Sequence, residues 1–192
     1  MHDTSPHQRA LVLGGGGSAG NAWLIGVLAG LLDAGLDVAD ADLLVGTSAG
    51  ATTATQIGDA PLPALLAAIL ESATPPRPAS NGGGRTPVGS QNDHLDRTGR
   101  IIAASTDPAD MRRRMGAAFI ELDEATGGTG TERWRAIVAA RMPGCTWPAH
   151  RVLLTAVDAE TGEGVAFDRD SGVDLVDAVA ASTSGGSAYR IG

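Results

Sequence analysis

The fold is decided by the stretch Leu43-Leu44-Val45-Gly46-Thr47-Ser48-Ala49-Gly50, in which an apolar run ends in the pattern G-x-S-x-G. A short apolar run of this kind is typical of a buried strand. The pattern places a serine on a tight turn between a strand and a helix, because Gly46 and Gly50 leave room for a strained backbone. The sequence therefore predicts Ser48 as a nucleophile at the end of a strand, followed by a helix over residues 51–56.

A second feature is a glycine run that follows another short apolar segment. Leu11-Val12-Leu13 leads into Gly14-Gly15-Gly16-Gly17-Ser18-Ala19-Gly20, and a helical pattern comes next. In such a loop the backbone N–H groups can converge on one anion, and the dipole of the following helix adds to the attraction. The run therefore predicts an anion-binding loop between the first strand and the first helix.

Two interpretations of this loop compete. From Gly15 onwards it satisfies G-x-G-x-x-G, the fingerprint of a dinucleotide site in a Rossmann-like module, with Asp37 or Asp40 as the ribose-binding acid. Alternatively, its amides form an oxyanion hole for the intermediate that arises when Ser48 attacks an ester. We favour the oxyanion hole, because a dinucleotide site has no use for a strained serine after the next strand.

Together, these motifs resemble those of the bacterial patatin-like phospholipases, a family of lipid acyl hydrolases with a Ser-Asp dyad. Residues 15–20 are similar to the family's glycine motif G-G-G-x-[RK]-G, and residues 46–50 to its elbow. Further segments are similar to the family's first helix, to the strand and turn before its last catalytic segment, and to the helix after that: residues 22–35, 152–163 and 174–182. The resemblance spans roughly residues 11–192, with a poorly matching middle, and implies a three-layer α/β/α fold with a mainly parallel central sheet.

The resemblance also implies roles for individual residues. Ser48 is the expected catalytic nucleophile that forms an acyl-enzyme, and Gly15, Gly16, Gly17 and Ser18 are the expected oxyanion donors. The expected substrate is an acyl ester of a lipid, cleaved in a phospholipase A, lysophospholipase or carboxylesterase reaction. No cofactor and no metal ion is implied. A non-catalytic acyl-binding relative is the alternative within the same family.

The sequence departs from the family pattern at two places. Ala19 stands where the family has a basic residue, which leaves the backbone amides of the loop in place. The family's catalytic aspartate lies in a D-G-[GA] motif after a segment that resembles residues 189–192, and no Asp-Gly dipeptide occurs in this chain. We expect the acid to lie beyond Gly192 in a longer protein. Because general-base assistance is worth about 10²- to 10⁴-fold, we expect these 192 residues alone to be weak or inactive.

An internal base is the alternative to this expectation. A Ser-His-Asp triad in the chain order of the α/β-hydrolases needs an acid and then a histidine after Ser48, which only His150 could supply. The acids that would precede it are Asp107, Asp110 and Asp123. We favour a simpler interpretation, in which His150 is a solvated loop residue before a strand. Turn or surface positions are expected for three later acids: Asp158, Asp168 and Asp170.

Composition limits the class of protein. With 192 residues, 43% of them hydrophobic, the chain can bury one sizeable core and is interpreted as a single domain. Aromatic residues make up only 3%, so the core consists of Ala, Val, Leu and Ile, which favours helices packed closely on a parallel sheet.

The charge of the chain limits the classes of partner that it can bind. The net charge of −8 argues against nucleic-acid binding. Arg112-Arg113-Arg114 is interpreted as a solvated helix face, with a transient contact to anionic lipid head groups as the alternative.

The single cysteine, Cys145, excludes an internal disulfide and a zinc site of the usual spacing. Because the sequence shows neither an apolar signal segment nor a run long enough to cross a membrane, we expect a cytoplasmic protein.

The organisation along the chain is uneven. We expect a flexible N-terminal arm over residues 1–10 and one hydrolase domain over residues 11–192. The domain carries a Pro- and Gly-rich loop at about residues 72–99, expected to be either a mobile flap over Ser48 or plain disorder. Regular elements are also predicted near residues 61–71, 108–122 and 131–141 as helices, and at residues 152–157 and 165–167 as a strand and its hairpin partner. The sequence gives no indication of oligomeric state.

Overall fold

The fold is a four-stranded mixed sheet with helices, which confirms the predicted α/β class. The computed structural model describes residues 8–72, 91–125, 127–142, 144–185 and 188–191, with the backbone alone for residues 91–94. The strands follow each other across the sheet in chain order: β1 (Ala10–Leu13), β2 (Leu43–Gly46), β3 (Arg151–Val157) and β4 (Gly164–Phe167). The first three strands are parallel and β4 is antiparallel to β3, so the sheet is mainly parallel as expected.

Seven helices are described between and after these strands. They are α1 (Gly17–Asp33), α2 (Ala49–Asp59), α3 (Leu62–Glu71), α4 (Gln91–Ala104), α5 (Pro108–Ala125), α6 (Gly130–Arg141) and α7 (Leu175–Thr183). The predicted helices near residues 61–71, 108–122 and 131–141 correspond to α3, α5 and α6. None of the helices in the described ranges is both long and apolar enough to cross a bilayer.

One face of the sheet carries the core. Leu13 pairs with Gly46, which pairs with Leu154, and two residues earlier Leu44 pairs with Val152. Side chains two residues apart on a strand share a face, so these leucines and this valine point the same way. All of them are at most 4% exposed. They pack with apolar side chains of the helices, including Leu28 and Ala29 of α1, Ala51 and Ala54 of α2, Leu62 of α3, Val138 of α6 and Val179 of α7.

The opposite face of the sheet differs from the expected three-layer arrangement. Its apolar side chains include Val12 and Val157, which are 70% and 49% exposed, and the half-buried Val45 and Leu153. The sheet order advances in one direction from β1 to β3, and parallel crossovers are right-handed in almost every protein, so the connecting helices lie on the same face. In the described residues, the helices that supply the buried core, α1, α2, α3, α6 and α7, therefore form one layer on the sheet, and α4 and α5 contribute no side chain to that core.

Two predicted boundaries are wrong. The expected loop over residues 72–99 includes the start of α4, which begins at Gln91; residues 73–90 and the flap assigned to them lie outside the described residues. Pro87 is the last proline before α4, so the sequence from Gln91 onwards is free to form a helix, and α4 packs on α5. The N-terminal arm was expected to extend to residue 10, whereas β1 begins at Ala10 and the Arg9 backbone N–H donates to Asp42 Oδ2 at 2.7 Å.

Helix α5 is fastened to the turn between β3 and β4. Arg112 Nε donates to the carbonyl oxygen of Gly162 at 2.7 Å. At Gly116 the helix approaches so closely that an added Cβ would lie 2.0 Å from the Ala159 carbonyl oxygen. This contact depends on glycine, because no side chain fits in the space.

We predict that Gly116→Ala destabilises the protein by about 1–3 kcal/mol, because α5 must move away from Ala159. The matched control is Gly99→Ala in α4, where nothing lies within 4 Å of an added Cβ. That change is expected to stabilise by about 0.5–1 kcal/mol through the lower backbone entropy of alanine. Urea unfolding of the two variants measures both effects, and equal midpoints would contradict the close approach.

Candidate active site

Ser48 lies on the strained turn that the G-x-S-x-G pattern predicts. It follows β2, forms the N-cap of α2 and has φ 55° and ψ −115°. Among the described residues it is the only non-glycine with a positive φ. Such a conformation costs on the order of 1–3 kcal/mol and persists only where the surrounding structure imposes it, typically at functional sites. The local geometry is that of a nucleophile elbow.

The two glycines of the elbow are needed for space. A Cβ added to Gly50 would lie 2.0 Å from the carbonyl oxygen of Leu13, in β1. A Cβ added to Gly46 would lie 2.6 Å from the Gly50 carbonyl oxygen. The first turn of α2 therefore packs directly on the backbones of β1 and β2, and this packing determines the path of the chain through Ser48.

The glycine loop lies against the elbow, as the oxyanion interpretation requires. A Cβ added to Gly15 would lie 3.5 Å from Ser48 Cβ and 3.9 Å from Ser48 Oγ. Two backbone hydrogen bonds join the segments: the Thr47 N–H donates to the Leu13 carbonyl at 3.0 Å, and the Gly50 N–H donates to the Gly14 carbonyl at 2.9 Å. The predicted nucleophile and the predicted oxyanion loop are thus neighbours at the carboxyl edge of the sheet.

The rest of the loop forms the start of α1. Gly16 is the N-cap of α1, and it supplies no side-chain hydrogen bond to cap the helix. Gly17 has φ 62°, a conformation that favours glycine. The amides of the first helical turn, which include Gly17 and Ser18, have no acceptor within the helix, and the helix dipole makes this end positive. Since α2 also begins at this edge, directly after Ser48, two positive helix ends lie beside the serine. This arrangement suits a developing negative charge.

A cavity of about 630 Å³ opens beside the elbow. Thr47 of the elbow and Ser182, which accepts the Ser48 N–H, are part of its wall. The remaining wall comes from α5, from β3 and β4, and from residues 188–191, and its larger apolar side chains are Met111, Met115, Phe119, Val165, Phe167 and Ile191. The cavity is within the size range of ligand pockets and is mostly apolar.

The described part of the chain places no base in hydrogen-bond contact with Ser48. Ser48 Oγ has no hydrogen-bond partner there. His150, the internal alternative, is located at the opposite end of α2: a Cβ on Gly58 would lie 3.2 Å from His150 Cε1. At 1.5 Å per residue, Gly58 is roughly 14 Å along the helix from Ala49. The triad hypothesis is therefore wrong. His150 precedes β3 in a loop as expected, but it is half-buried rather than solvated, and its Nε2 is buried.

The acids required by the dinucleotide interpretation also lie at the wrong end of the sheet. Asp37 and Asp40 precede β2, whose first residue, Leu43, pairs with Ala10 at the start of β1. The glycine loop follows the end of β1, and nucleotides bind outside the carboxyl ends of parallel strands. Asp37 Oδ1 instead accepts the N–H groups of Ala39 and Asp40 within a turn.

The remaining charged candidates form local structure. Asp158 accepts hydrogen bonds from Thr161 and Glu160 in the β3–β4 turn, and the bond from the Thr161 N–H is the main cause of its lowered pKa. In the arginine triplet, Arg114 and Arg113 pair with Asp110, whose pKa is lowered chiefly by the hydrogen bond from Arg114. Arg113 and Arg114 thus belong to a solvated helix face, whereas Arg112 is half-buried and bonded to the Gly162 carbonyl, so that interpretation applies to two of the three arginines.

Sequence reasoning missed several residues around the site. Ser182 accepts the Ser48 N–H at 2.8 Å, although the two residues are 134 positions apart. Tyr189 donates to Asp177 Oδ1 at 2.5 Å, and burial, followed by this hydrogen bond, raises the pKa of Tyr189. Arg190 Nε lies 3.1 Å from Oδ2 of the fully buried Asp123. These bonds hold residues 189–190 beside the cavity. For Ser182 the only signal in the sequence is the short polar run around it, and no spacing rule connects that run with Ser48.

Comparison with known proteins adds no assignment: neither the protein-family models nor the curated proteins contain a match to this chain. No group of three or more metal-ligating side chains is found in the described ranges. Inferences about function therefore rest on the motifs and on the geometry of the elbow, the loop and the cavity.

The surroundings of Cys145 disfavour a role as an alternative nucleophile. Burial, followed by the nearby charge of Asp59, raises the pKa of its thiol. A raised pKa reduces the thiolate fraction at neutral pH, and the thiolate is the reactive form.

We predict that Cys145 reacts with iodoacetamide at pH 7 more slowly than a free cysteine does, and that the rate rises as the pH approaches the raised pKa. Asp59→Asn should increase the rate at pH 7, because it removes a negative charge that opposes ionisation. Asp96→Asn in α4 is the control and should leave the rate unchanged. A rate equal to that of a free thiol would contradict this account.

Proposed function

We propose that this chain is a patatin-like serine acyl hydrolase that cleaves the carboxylic ester of a lipid through an acyl-enzyme on Ser48. The observation that carries the proposal is the strained Ser48, at φ 55° and ψ −115°, directly against the glycine loop at Gly15. A strained serine and a loop of backbone amides have a joint use in acyl transfer. Neither feature is needed for a structural role.

The mechanism follows from this placement. Ser48 Oγ attacks the ester carbonyl, and the carbonyl oxygen becomes negative. Amides of Gly15, Gly16, Gly17 and Ser18, together with the positive ends of α1 and α2, stabilise that charge. Loss of one such donor in known hydrolases costs about 10²- to 10³-fold in rate. The alcohol then leaves, and water releases the acyl group from Ser48.

The proton of Ser48 Oγ requires a base. The resemblance implies an aspartate that follows residues 189–192 in the family. Ala188, Tyr189 and Ile191 line the same cavity as Thr47, so a group just after them in the chain would be close to the elbow. Because Ser48 Oγ has no partner within the described part of the chain, we expect slow turnover from these residues alone.

The cavity supports a lipid acyl chain as the bound part of the substrate. It is about 630 Å³ in volume, and most of its side chains are apolar. Thr47, which precedes Ser48 in the chain, is part of the cavity wall, so an acyl chain in the cavity would lie next to the elbow. Burial of each methylene of such a chain is worth about 0.8 kcal/mol.

A non-catalytic acyl-binding protein is the second candidate. The lack of a hydrogen-bond partner for Ser48 Oγ among the described residues favours it, since the elbow and cavity could bind an acyl group without cleaving it. A fatty acid would then bind with no reaction at Ser48.

We predict that a short-chain fluorophosphonate probe labels the chain slowly and only at Ser48, because the oxyanion loop supports attack by Ser48 even where no base is hydrogen-bonded to it. Ser48→Ala should abolish labelling. Ser105→Ala is the matched control, because the Ser105 hydroxyl donates only to the Ile101 carbonyl at the end of α4. Peptide mapping by mass spectrometry locates the label. Complete absence of label at Ser48, with fatty acid still bound, would favour the acyl-binding candidate.

A second prediction concerns the cavity. Ala156→Phe places a ring in the cavity and should lower the preference of Ser48 for long-chain over short-chain alkyl fluorophosphonates by about tenfold. Ala166→Phe is the matched control on β4, where the side chain is exposed on the other face of the sheet. The ratio of labelling rates for the two probes is the measurement. If both variants keep the wild-type ratio, the acyl chain does not occupy this cavity.

A further inference from the structure

We propose that Ser182 is a positioning residue for the nucleophile: its hydroxyl accepts the backbone N–H of Ser48 and holds the elbow in its reactive conformation. The catalytic effect of this bond rests on the proposed function. The contact between α7 and the elbow does not depend on the proposed function.

The geometry of this hydrogen bond singles out Ser182. The Ser48 N–H donates to Ser182 Oγ at 2.8 Å, a favourable length for such a bond. Every other hydrogen bond to the Ser48 backbone in the described part of the chain is local, from the N–H groups of Ala51 and Thr52 to the Ser48 carbonyl. These local bonds hold the start of α2 and leave the N–H side of the strained residue to Ser182.

Helix α7 holds Ser182 in place from several directions. Asp174 caps the helix by accepting the Val176 N–H at 2.9 Å. The middle of the helix, including Val179, is fully buried in the core. At its last turn, Trp134 Nε1 donates to the Ala180 carbonyl and to Thr183 Oγ1, both at 3.2 Å. The residues on either side of Ser182 are thus attached to α6, and the hydroxyl has little freedom to leave the elbow.

The position of Ser182 explains why the bond affects catalysis as well as stability. A residue in a strained conformation returns to a relaxed one when its surroundings no longer impose it. Rotation about the Ser48 backbone turns Oγ away from Gly15 and the oxyanion loop. Small errors in nucleophile placement reduce rates strongly, because reacting atoms must be aligned. Loss of the Ser182 hydroxyl is therefore expected to lower the reaction rate at Ser48 and to leave binding unchanged.

The experiment compares wild type, Ser182→Ala and Ser182→Thr with a short-chain fluorophosphonate, and measures the maximal labelling rate at Ser48 and the half-saturating probe concentration. We expect Ser182→Ala to lower the maximal rate by about tenfold with little change in half-saturation. Ser182→Thr keeps the hydroxyl and should restore the rate. Ser105→Ala is the control for loss of a serine hydroxyl elsewhere.

Hydrogen exchange supplies a readout that does not depend on activity. The Ser48 amide should exchange faster in Ser182→Ala than in wild type and Ser182→Thr, as followed in peptides that span β2 and the start of α2. Equal labelling rates in wild type and Ser182→Ala, or equally slow rates in Ser182→Ala and Ser182→Thr, would overturn the positioning role. No labelling of wild type would overturn the proposed function, whereas faster exchange in Ser182→Ala would still support the contact between α7 and the elbow.

Discussion

The structure of the site depends on one close approach, that of the first turn of α2 to the backbone of β1. Gly50 donates to the Gly14 carbonyl, and its Cα lies so near Leu13 that a side chain would overlap the backbone. This contact forces the chain to turn between Thr47 and Ala49, and the turn places Ser48 in a conformation that few residues adopt. It also brings the end of β1, and hence the glycine loop, beside the serine. Strain at one residue is thus offset by backbone contacts on both sides of it.

The parts of the site that could be predicted from the sequence are those that depend on local chemistry. A serine with a glycine two residues before it and another two residues after it predicts a tight turn. An apolar run that is followed by a glycine run predicts a strand that ends in a loop. The order β1, glycine loop, α1, β2, elbow and α2 follows from such conditions. Even the adjacency of Gly15 and Ser48 was predictable, because consecutive parallel strands in this order end at the same edge of a sheet.

Other parts depend on contacts between distant segments, for which the sequence carries no period or spacing. Ser182 meets the Ser48 amide only because α7 packs between the sheet and α6. Helix α4 has few apolar positions and packs mainly on α5, so its pattern indicated a loop. The placement of the core helices on one face of the sheet likewise follows from the direction in which the strands are added, and a list of predicted strands and helices does not contain that direction. His150 is a further example, because its position in the chain order suits a triad whereas its position in the fold does not.

The single direction of the sheet also explains why the N-termini of α1 and α2 converge. In doubly wound sheets, the crevice at the edge forms where the strand order reverses and neighbouring helices separate to opposite faces. Here the order from β1 to β3 does not reverse, so α1 and α2 lie on the same face and contact each other. Each begins directly after its strand, and so their N-termini are side by side at the carboxyl edge. The two dipoles add at the point where Ser48 projects, and their direction is set by the way β1, β2 and the two helices pack.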